Sequence, residues 1–328
     1  MFFNLLYVVS LREFSVNPWL TTGVQEIYLI ENMKIKGYLL AAISAISYGL
    51  IPLFILPVKA IHFSMDTTLF YRFFISALFI LGYLIYKKES LRVNRSEFMI
   101  LVLLGIFYAL SAEFLFMGYD YLSPGIASTI LFVYPVIVAM IMTFFFKEKI
   151  TVLTVISLVI TIAGIIALSA KDGALDINLP GLLITLGSAT FYALYMVVVN
   201  KAKINASGFK ITFYSLLFSA VFYLGKALLM KESLLIPNME LFFNFTAFAF
   251  VTTVLSMSAL VYAIKSIGST PTSILGALEP VMAVAVSVAL FHEILTSSLM
   301  IGIALILTGV MINIISESVK GKIQHPDF

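Results

Sequence analysis

The sequence predicts an all-α membrane protein with ten transmembrane helices in two inverted five-helix repeats. Three observations predict this fold class: an apolar composition, ten apolar segments of spanning length, and an internal repeat at an offset of about 145 residues. Of the 328 residues, 61% are hydrophobic and 11% are charged. Because soluble domains carry about 25% charged residues, this composition fits a chain that has lipid as its solvent.

The ten spans are apolar stretches of about 20 residues, the length at which a helix crosses a bilayer. Short connections rich in Gly, Pro, Asn and Lys separate them and leave no room for a soluble domain. The spans are Gly37–Pro57, Thr67–Tyr86, Phe98–Tyr119, Gly125–Phe146, Ile150–Ala170, Gly181–Asn200, Ile211–Met230, Leu241–Ile264, Thr270–His292 and Leu295–Ile315.

The first 32 residues differ from the spans. Arg12 and Pro18 interrupt a moderately apolar stretch that has no positively charged start and no small-residue cleavage site, so it does not fit a signal peptide. We expect Met33, which directly precedes the first strong span, to be the natural start and 1–32 to be a mis-assigned extension. The alternative is a short interfacial helix. The expected units are then 33–170, 181–318 and a cytoplasmic tail at 319–328.

The internal repeat is clearest when Ile126–Ala167 is set against Pro271–Ile312 without a gap. The matched pairs include Ser128 with Ser273, Pro135 with Pro280, Glu148 with Glu293, Thr151 with Thr296 and Gly164 with Gly309. Near an offset of about 144 residues, Ser44 and Tyr48 also match Ser188 and Tyr192. Because each unit contains five spans, an odd number, the second unit must enter the membrane from the opposite side.

Lys and Arg residues predict the orientation. With the start of the first span in the cytoplasm, about fourteen Lys and Arg residues lie inside and about four lie outside. A model with nine or eleven helices would scramble this separation. We therefore expect a multi-pass protein of the cell (inner or plasma) membrane with both termini in the cytoplasm.

Glu279 is the clearest functional candidate, because ionisable groups inside a bilayer are costly and usually functional. It lies near the middle of the ninth span and is followed by Pro280, which should kink the helix and free the carbonyl of Gly276. Tyr134 and Pro135 occupy the same depth in the first repeat. The pattern predicts a midplane site for substrate or protons. The alternative is that both prolines only bend helices and Glu279 bonds to a neighbouring Ser or Tyr.

Arg72 and Glu113 form a second candidate group. They lie at similar predicted depths in consecutive spans and have opposite charges, which predicts an ion pair. The pair fits an extracellular gate, or an arginine that binds a substrate carboxylate. The alternative is a structural clamp between two helices. Tyr48 and Tyr192 are related by the repeat and are expected to line a central cavity.

Several classes of function are disfavoured by the sequence. The chain has no cysteine, and His62, His292 and His325 have no metal-ligand spacing. It also lacks an ATP-binding loop and a basic patch interleaved with aromatic residues. We expect no catalytic residues, metal, cofactor or nucleic-acid partner, because an intramembrane enzyme would be left with two carboxylates at different depths. Monomer and homodimer both remain open.

Local motifs carry a family resemblance. The second half reads Ser-Ile-Leu-Gly-Ala-Leu-Glu279-Pro280-Val, then Phe-His-Glu293, then Leu-Thr-Gly309-Val. The first half repeats this as Ser-Thr-Ile-Leu-Phe-Val-Tyr134-Pro135-Val, then Phe-Lys-Glu148, then Ile-Ala-Gly164-Ile. From about Met33 to Ser318 the chain resembles the drug/metabolite transporter superfamily, specifically its EamA-like family. It departs mildly from that family in having an acidic residue before proline only in the second half.

The resemblance implies a secondary transporter that works by alternating access around a midplane cavity. Its energy would come from a proton gradient or from the gradient of the substrate itself. Members of the superfamily export amino acids, other metabolites or drugs, or move nucleotide sugars or phosphorylated sugars. We expect an exporter of an amino acid or related metabolite. The alternatives are another cargo, such as a nucleotide sugar or a drug-like cation, or a non-transporting scaffold or receptor.

Overall fold

The computed structural model describes residues 23–61, 63–121, 127, 130–147, 151–169, 179–202, 204–279, 281–282, 285, 297, 300–309 and 311–312. The helices of the first repeat are α1 Gly23–Tyr48, α2 Ile51–Ala60, α3 Met65–Tyr86, α4 Arg95–Tyr121, α5 Tyr134–Phe146 and α6 Val152–Ser169. Those of the second are α7 Leu179–Lys201, α8 Gly208–Leu229, α9 Met239–Phe248, α10 Ser256–Ile267, α11 Ser269–Leu275 and α12 Met300–Gly309. A π-helical segment, Ala249–Leu255, joins α9 to α10 without a break.

These helices account for the ten predicted spans, so the predicted fold class is confirmed. Helices α1 and α2 together form the first span, and α9, the π-helical segment and α10 form the eighth. Within the described residues, six spans are long and apolar enough to cross a membrane, and three shorter apolar helices accompany them.

Helices α3 and α8 occupy equivalent places in the two repeats and are capped alike. Ser64 accepts a hydrogen bond from the Thr67 N–H at the start of α3, and Ser207 accepts one from the Lys210 N–H at the start of α8. Serine at this position satisfies a helix N–H that has no other partner. Each helix contains 22 residues, so the two helices can be aligned residue by residue from their capping serines, Ser64 and Ser207.

The two repeats run in opposite directions. Asp66 near the start of α3 bonds to Lys226 near the end of α8. At the other end of the same helix pair, the ring of Tyr83 lies 4.3 Å from that of Phe209. Helices α3 and α8 are therefore antiparallel, as the odd number of spans in each repeat requires.

Paired tyrosines hold the repeats together at both ends of the bundle. The Tyr71 hydroxyl of α3 donates to the carbonyl of Leu234 at 2.5 Å. The Tyr214 hydroxyl of α8 donates to the carbonyl of Leu91 at 2.6 Å. Donors and acceptors correspond through the repeat, so the pseudo-twofold relation extends to individual hydrogen bonds.

Buried serines form further hydrogen bonds between helices, and these bonds also occur in symmetric pairs. Ser76 bonds to the Ala249 carbonyl and Ser219 to the Gly105 carbonyl, at 3.0 and 2.9 Å. Ser256 likewise bonds to the Ser44 carbonyl and Ser188 to the Ser111 carbonyl, at 3.0 and 2.6 Å. Hydroxyl groups suit this role, because small side chains let helices approach closely and each bond between helices in lipid is worth about 1 kcal/mol.

The fourth and ninth spans are interrupted at corresponding positions. A turn at Phe132–Val133 precedes α5, which places Pro135 in the first helical turn, where its missing N–H breaks no helix bond. A turn at Gly276–Ala277 follows α11. The expectation that the Gly276 carbonyl is free is wrong, because the N–H of Glu279 donates to it at 2.9 Å.

Some predicted features lie outside the described residues. These are Pro280, Glu148, Glu293, the three histidines and residues 1–22. Helix α1 begins at Gly23, within the segment interpreted as an extension.

Gly105 tests the close approach of α4 and α8. A Cβ atom at this position would lie 2.4 Å from the Phe218 Cβ and 3.0 Å from the Ser215 carbonyl oxygen. We expect Gly105→Ala to destabilise the protein by about 1–3 kcal/mol, because one of the two helix backbones must shift. Thermal unfolding in detergent measures this change. Gly82→Ala is the control, since its Cβ meets nothing within 4 Å; equal loss in both variants would contradict the packing.

Candidate functional site

Arg72 is a buried cation in the middle of the helix bundle. It lies on α3 with 1% of its surface exposed, and its Nε donates to the Thr253 hydroxyl at 2.7 Å. The guanidinium carbon lies 4.7 Å from the ring centre of Phe248, 5.3 Å from Tyr48 and 5.5 Å from Phe73. These ring faces attract the cation. Within the described part of the chain, Nη2 has no hydrogen-bond partner.

The predicted ion pair between Arg72 and Glu113 is wrong. Glu113 instead bonds to Lys226, whose ammonium also bonds to Asp66 at 2.8 Å. Depth along a helix does not determine which face a side chain occupies. Glu113 faces α8, whereas Arg72 faces the π-helical segment of the eighth span.

A row of tyrosines connects the two halves of the bundle near Arg72. The rings of Tyr134 and Tyr192 lie 4.8 Å apart and are nearly perpendicular, and Tyr195 stacks parallel to Tyr192 at 6.5 Å. Tyr108 follows at 5.5 Å from Tyr195 and contacts Phe73, the neighbour of Arg72 in sequence, at 5.4 Å. The row therefore joins the fourth span to the Arg72 environment through helices of both repeats.

Glu279 brings a carboxyl group to the same region. It lies near enough to Arg72, and to the hydroxyls of Tyr48, Tyr134 and Tyr192, for these groups to influence one another electrostatically. We call these five residues the central cluster. Tyr48, Tyr192 and Glu279 remain partly accessible, whereas Arg72 and Tyr134 are buried. These five sequence-predicted residues thus converge, whereas Glu113 lies elsewhere and Pro280 is outside the described residues.

Tyr134 also fixes the crossing of the two interrupted spans. Its hydroxyl donates to the carbonyl of Ser273 at 3.1 Å. A Cβ atom at position 276 would lie 1.8 Å from this hydroxyl oxygen, so a side chain there would displace the Tyr134 hydroxyl. Pro135 is buried beside Tyr134 and, as a proline, has no backbone N–H to donate.

The sequence interpretation missed Thr253, Phe248 and Lys226. Thr253 and Phe248 gave no signal, because apolar and threonine residues are common in spans and the π-helical segment that brings them together has no sequence signature. Lys226 lies in the last turn of its helix, where a basic residue is common and does not by itself indicate a buried charge network. Among the described residues, no group of three side chains is arranged to hold a metal ion.

A cavity of about 160 Å³ opens beside Lys226, at the end of the bundle that we call the Lys226 end. The opposite end, where Glu97 bonds to the Asn205 N–H, is the Glu97 end. The cavity is lined by Met65, Asp66, Leu69, Glu113, Phe116, Met117, Asp120 and Lys226. Leu69 lies one helical turn before Arg72 on α3, so the cavity ends close to the central cluster.

Comparison with known proteins identifies similar chains. The model of the EamA-like transporter family matches residues 35–170 and 179–315. The uncharacterized transporter YvbV of Bacillus subtilis (strain 168) is 28% identical over 66% of this chain and 70% of its own length. The uncharacterized transporter YyaM of the same organism is 27% identical over 76% of this chain and 84% of its own length.

A solved crystal structure has the same fold. It superposes with a TM-score of 0.74, covers 86% of this chain and 98% of its own, and is 15% identical in sequence. At that identity the similarity concerns the fold alone.

Lys226 tests the charge network at its end of the bundle. Lys226→Met leaves Asp66 and Glu113 facing each other with no cation, so we expect a loss of about 1–3 kcal/mol in stability. The triple variant Asp66→Asn/Glu113→Gln/Lys226→Met should recover part of that loss. Chemical unfolding in detergent measures both. Lys231→Met, at an exposed position beyond α8, is the control; a triple variant no more stable than Lys226→Met would contradict the network.

Proposed function

Because this chain belongs to the EamA-like transporter family, we propose that it is a secondary transporter that exports an amino acid or a related small metabolite. The proposed binding region is the central cluster together with Pro135 and Pro280. Glu113, the remaining candidate from the sequence, is assigned instead to the charge network at the Lys226 end.

The observation that carries the proposed cargo class is the presence of a basic and an acidic side chain in one aromatic region. Arg72 supplies a planar cation suited to a carboxylate, and Glu279 supplies a carboxylate suited to an ammonium group. The tyrosine rings around them favour a cation as well. A free amino acid carries both charges on one carbon atom, so it complements both ends of the cluster.

Alternating access follows from the inverted repeats. Spans related by the pseudo-twofold axis can exchange roles, so that the central cluster faces one side of the membrane and then the other. The Lys226 end would face outward and the Glu97 end the cytoplasm, with both termini cytoplasmic and the protein in the cell membrane. Lys87, Lys88, Arg92 and Arg95 cluster near the Glu97 end, as expected of a cytoplasmic surface.

Glu279 also offers a means of coupling to protons. Its carboxylate can hold either a proton or the ammonium group of the cargo, but not both. Exchange of one for the other would link export to the proton gradient. The acidic residue occurs only in the second repeat, because Tyr134 occupies the corresponding position in the first repeat. One carboxyl group therefore serves each transport cycle.

Transport by purified protein tests this proposal. Proteoliposomes loaded with the twenty standard amino acids, with and without a pH gradient, should release a subset of them. Glu279→Gln should reduce release at least tenfold while leaving the amount of folded protein unchanged, because the neutral amide cannot pair with an ammonium group or carry a proton. Glu240→Gln, at an exposed position on α9, is the matched control.

Metabolite profiling of cells with and without the protein extends this test to other cargoes. Release of a nucleotide sugar or of a cation without a carboxylate, with no amino acid among the exported compounds, would overturn the proposed cargo class. Unchanged release by Glu279→Gln would remove Glu279 from the mechanism.

A further inference from the structure

We propose that the π-helical segment Ala249–Leu255 positions Arg72 to bind the anionic group of the cargo, with Thr253 as the positioning residue. The inference rests on the proposed function for the identity of that cargo. The geometric part of the inference does not depend on the cargo: Thr253 and Phe248 determine where the guanidinium group of Arg72 points.

The π-helical segment explains how Phe248 and Thr253 come to share one face. In an α-helix, residues five apart point about 140° away from each other, since each residue turns the chain by about 100°. A π-helix bonds residue i to residue i+5 and so has more residues in each turn than an α-helix, which brings positions i and i+5 closer to a common direction. Phe248 and Thr253 are five apart, and both contact the guanidinium group of Arg72.

Two further contacts tie Arg72 to this segment. The Ser76 hydroxyl lies 2.6 Å from the Arg72 carbonyl and 3.0 Å from the Ala249 carbonyl, where the π-helical segment begins. The backbone of Arg72 is therefore held at the first residue of the segment, and its side chain at the fifth. Both Ser76 and Thr253 are fully buried, so water does not compete for these bonds.

The other repeat provides an internal comparison. The position of Arg72 in α3 corresponds to Ser215 in α8, and Ser76 corresponds to Ser219. The helix that Ser219 contacts is α4, which is a regular α-helix at Gly105 and beyond. The π-helical segment thus occurs opposite Arg72 and not opposite Ser215. Because both repeats have the same fold, the fold alone does not require a π-helical segment at this place.

Fixing Nε directs the rest of the side chain. The guanidinium group is planar, so a bond to Nε and a ring against one face leave the Nη atoms a single direction. Nη2 is buried and has no hydrogen-bond partner within the described residues. A buried cationic N–H without a partner is costly, and a carboxylate oxygen of the cargo would satisfy it.

The experiment separates positioning from simple packing. Thr253→Val removes the acceptor and keeps the shape, whereas Thr253→Ser keeps the acceptor. Thr252→Val is the matched control, because Thr252 is equally buried and its hydroxyl bonds within its own helix, to the Phe248 carbonyl. Thr253→Ala removes the hydroxyl a second way if Thr253→Val does not fold.

Arginine-selective ¹⁵N NMR of the full chain in detergent reads the position of Arg72 directly. The chain has four arginines, and Arg72→Lys assigns the signal. We expect Thr253→Val to shift the Arg72 Nε resonance, while Thr253→Ser and Thr252→Val leave it in place. Acetate, titrated against acetamide, is the anion probe, and Thr253→Val should bind it about tenfold more weakly, because the guanidinium group that loses its bond to Thr253 is no longer held facing the anion.

Each outcome decides the proposal. An unchanged resonance and acetate affinity in Thr253→Val, equal effects in Thr252→Val, or no acetate response at Arg72 in the natural protein would overturn it. Failure of the proposed function can be distinguished from failure of this proposal. If Arg72 binds acetate in a way that depends on Thr253 but proteoliposomes release no amino acid, the cargo class is contradicted and the positioning role of Thr253 is supported.

Discussion

The burial of a single cation, Arg72, is the constraint on which the central part of the structure depends. A guanidinium group in an apolar bundle loses its water, and no carboxylate lies within ion-pair distance of it among the described residues. Three aromatic faces and the Thr253 hydroxyl replace that water. These groups come from both repeats, so stabilising the cation also joins the two halves at their centre.

Around this centre, the two repeats share a symmetric set of hydrogen bonds and differ in their charged residues. Hydroxyl-to-carbonyl bonds occur in symmetric pairs, as Tyr71 with Leu234 and Tyr214 with Leu91 show. The charges break the symmetry: Lys226 and Asp66 meet at one end of α3 and α8, whereas Tyr83 and Phe209 occupy the corresponding positions at the other. One end of the interface is therefore ionic and the other aromatic, and different forces oppose opening on the two sides.

Most of the fold could be predicted from the sequence, because composition, span length and the repeat are properties of whole segments. Glu279, Tyr134, Tyr48 and Tyr192 could also be related, since the repeat alignment places them at matching depths. The partner of Arg72 could not be predicted. The position of a residue along its span predicts how deep it lies in the membrane. The direction in which its side chain points depends on the rotation of the helices and on the π-helical segment, and the sequence of residues 249–255 does not predict that segment.

If the protein works by alternating access, the central cluster lies on a path that opens to each side of the membrane in turn. The absence of cysteine from the natural chain permits a direct measurement. Tyr192→Cys, at a partly accessible position of the cluster, is exposed in proteoliposomes to a small membrane-impermeant thiol reagent from one side and then from the other. We expect labelling from both sides, with each slowed by cargo. Labelling from one side only, or from neither, would contradict alternating access at this site.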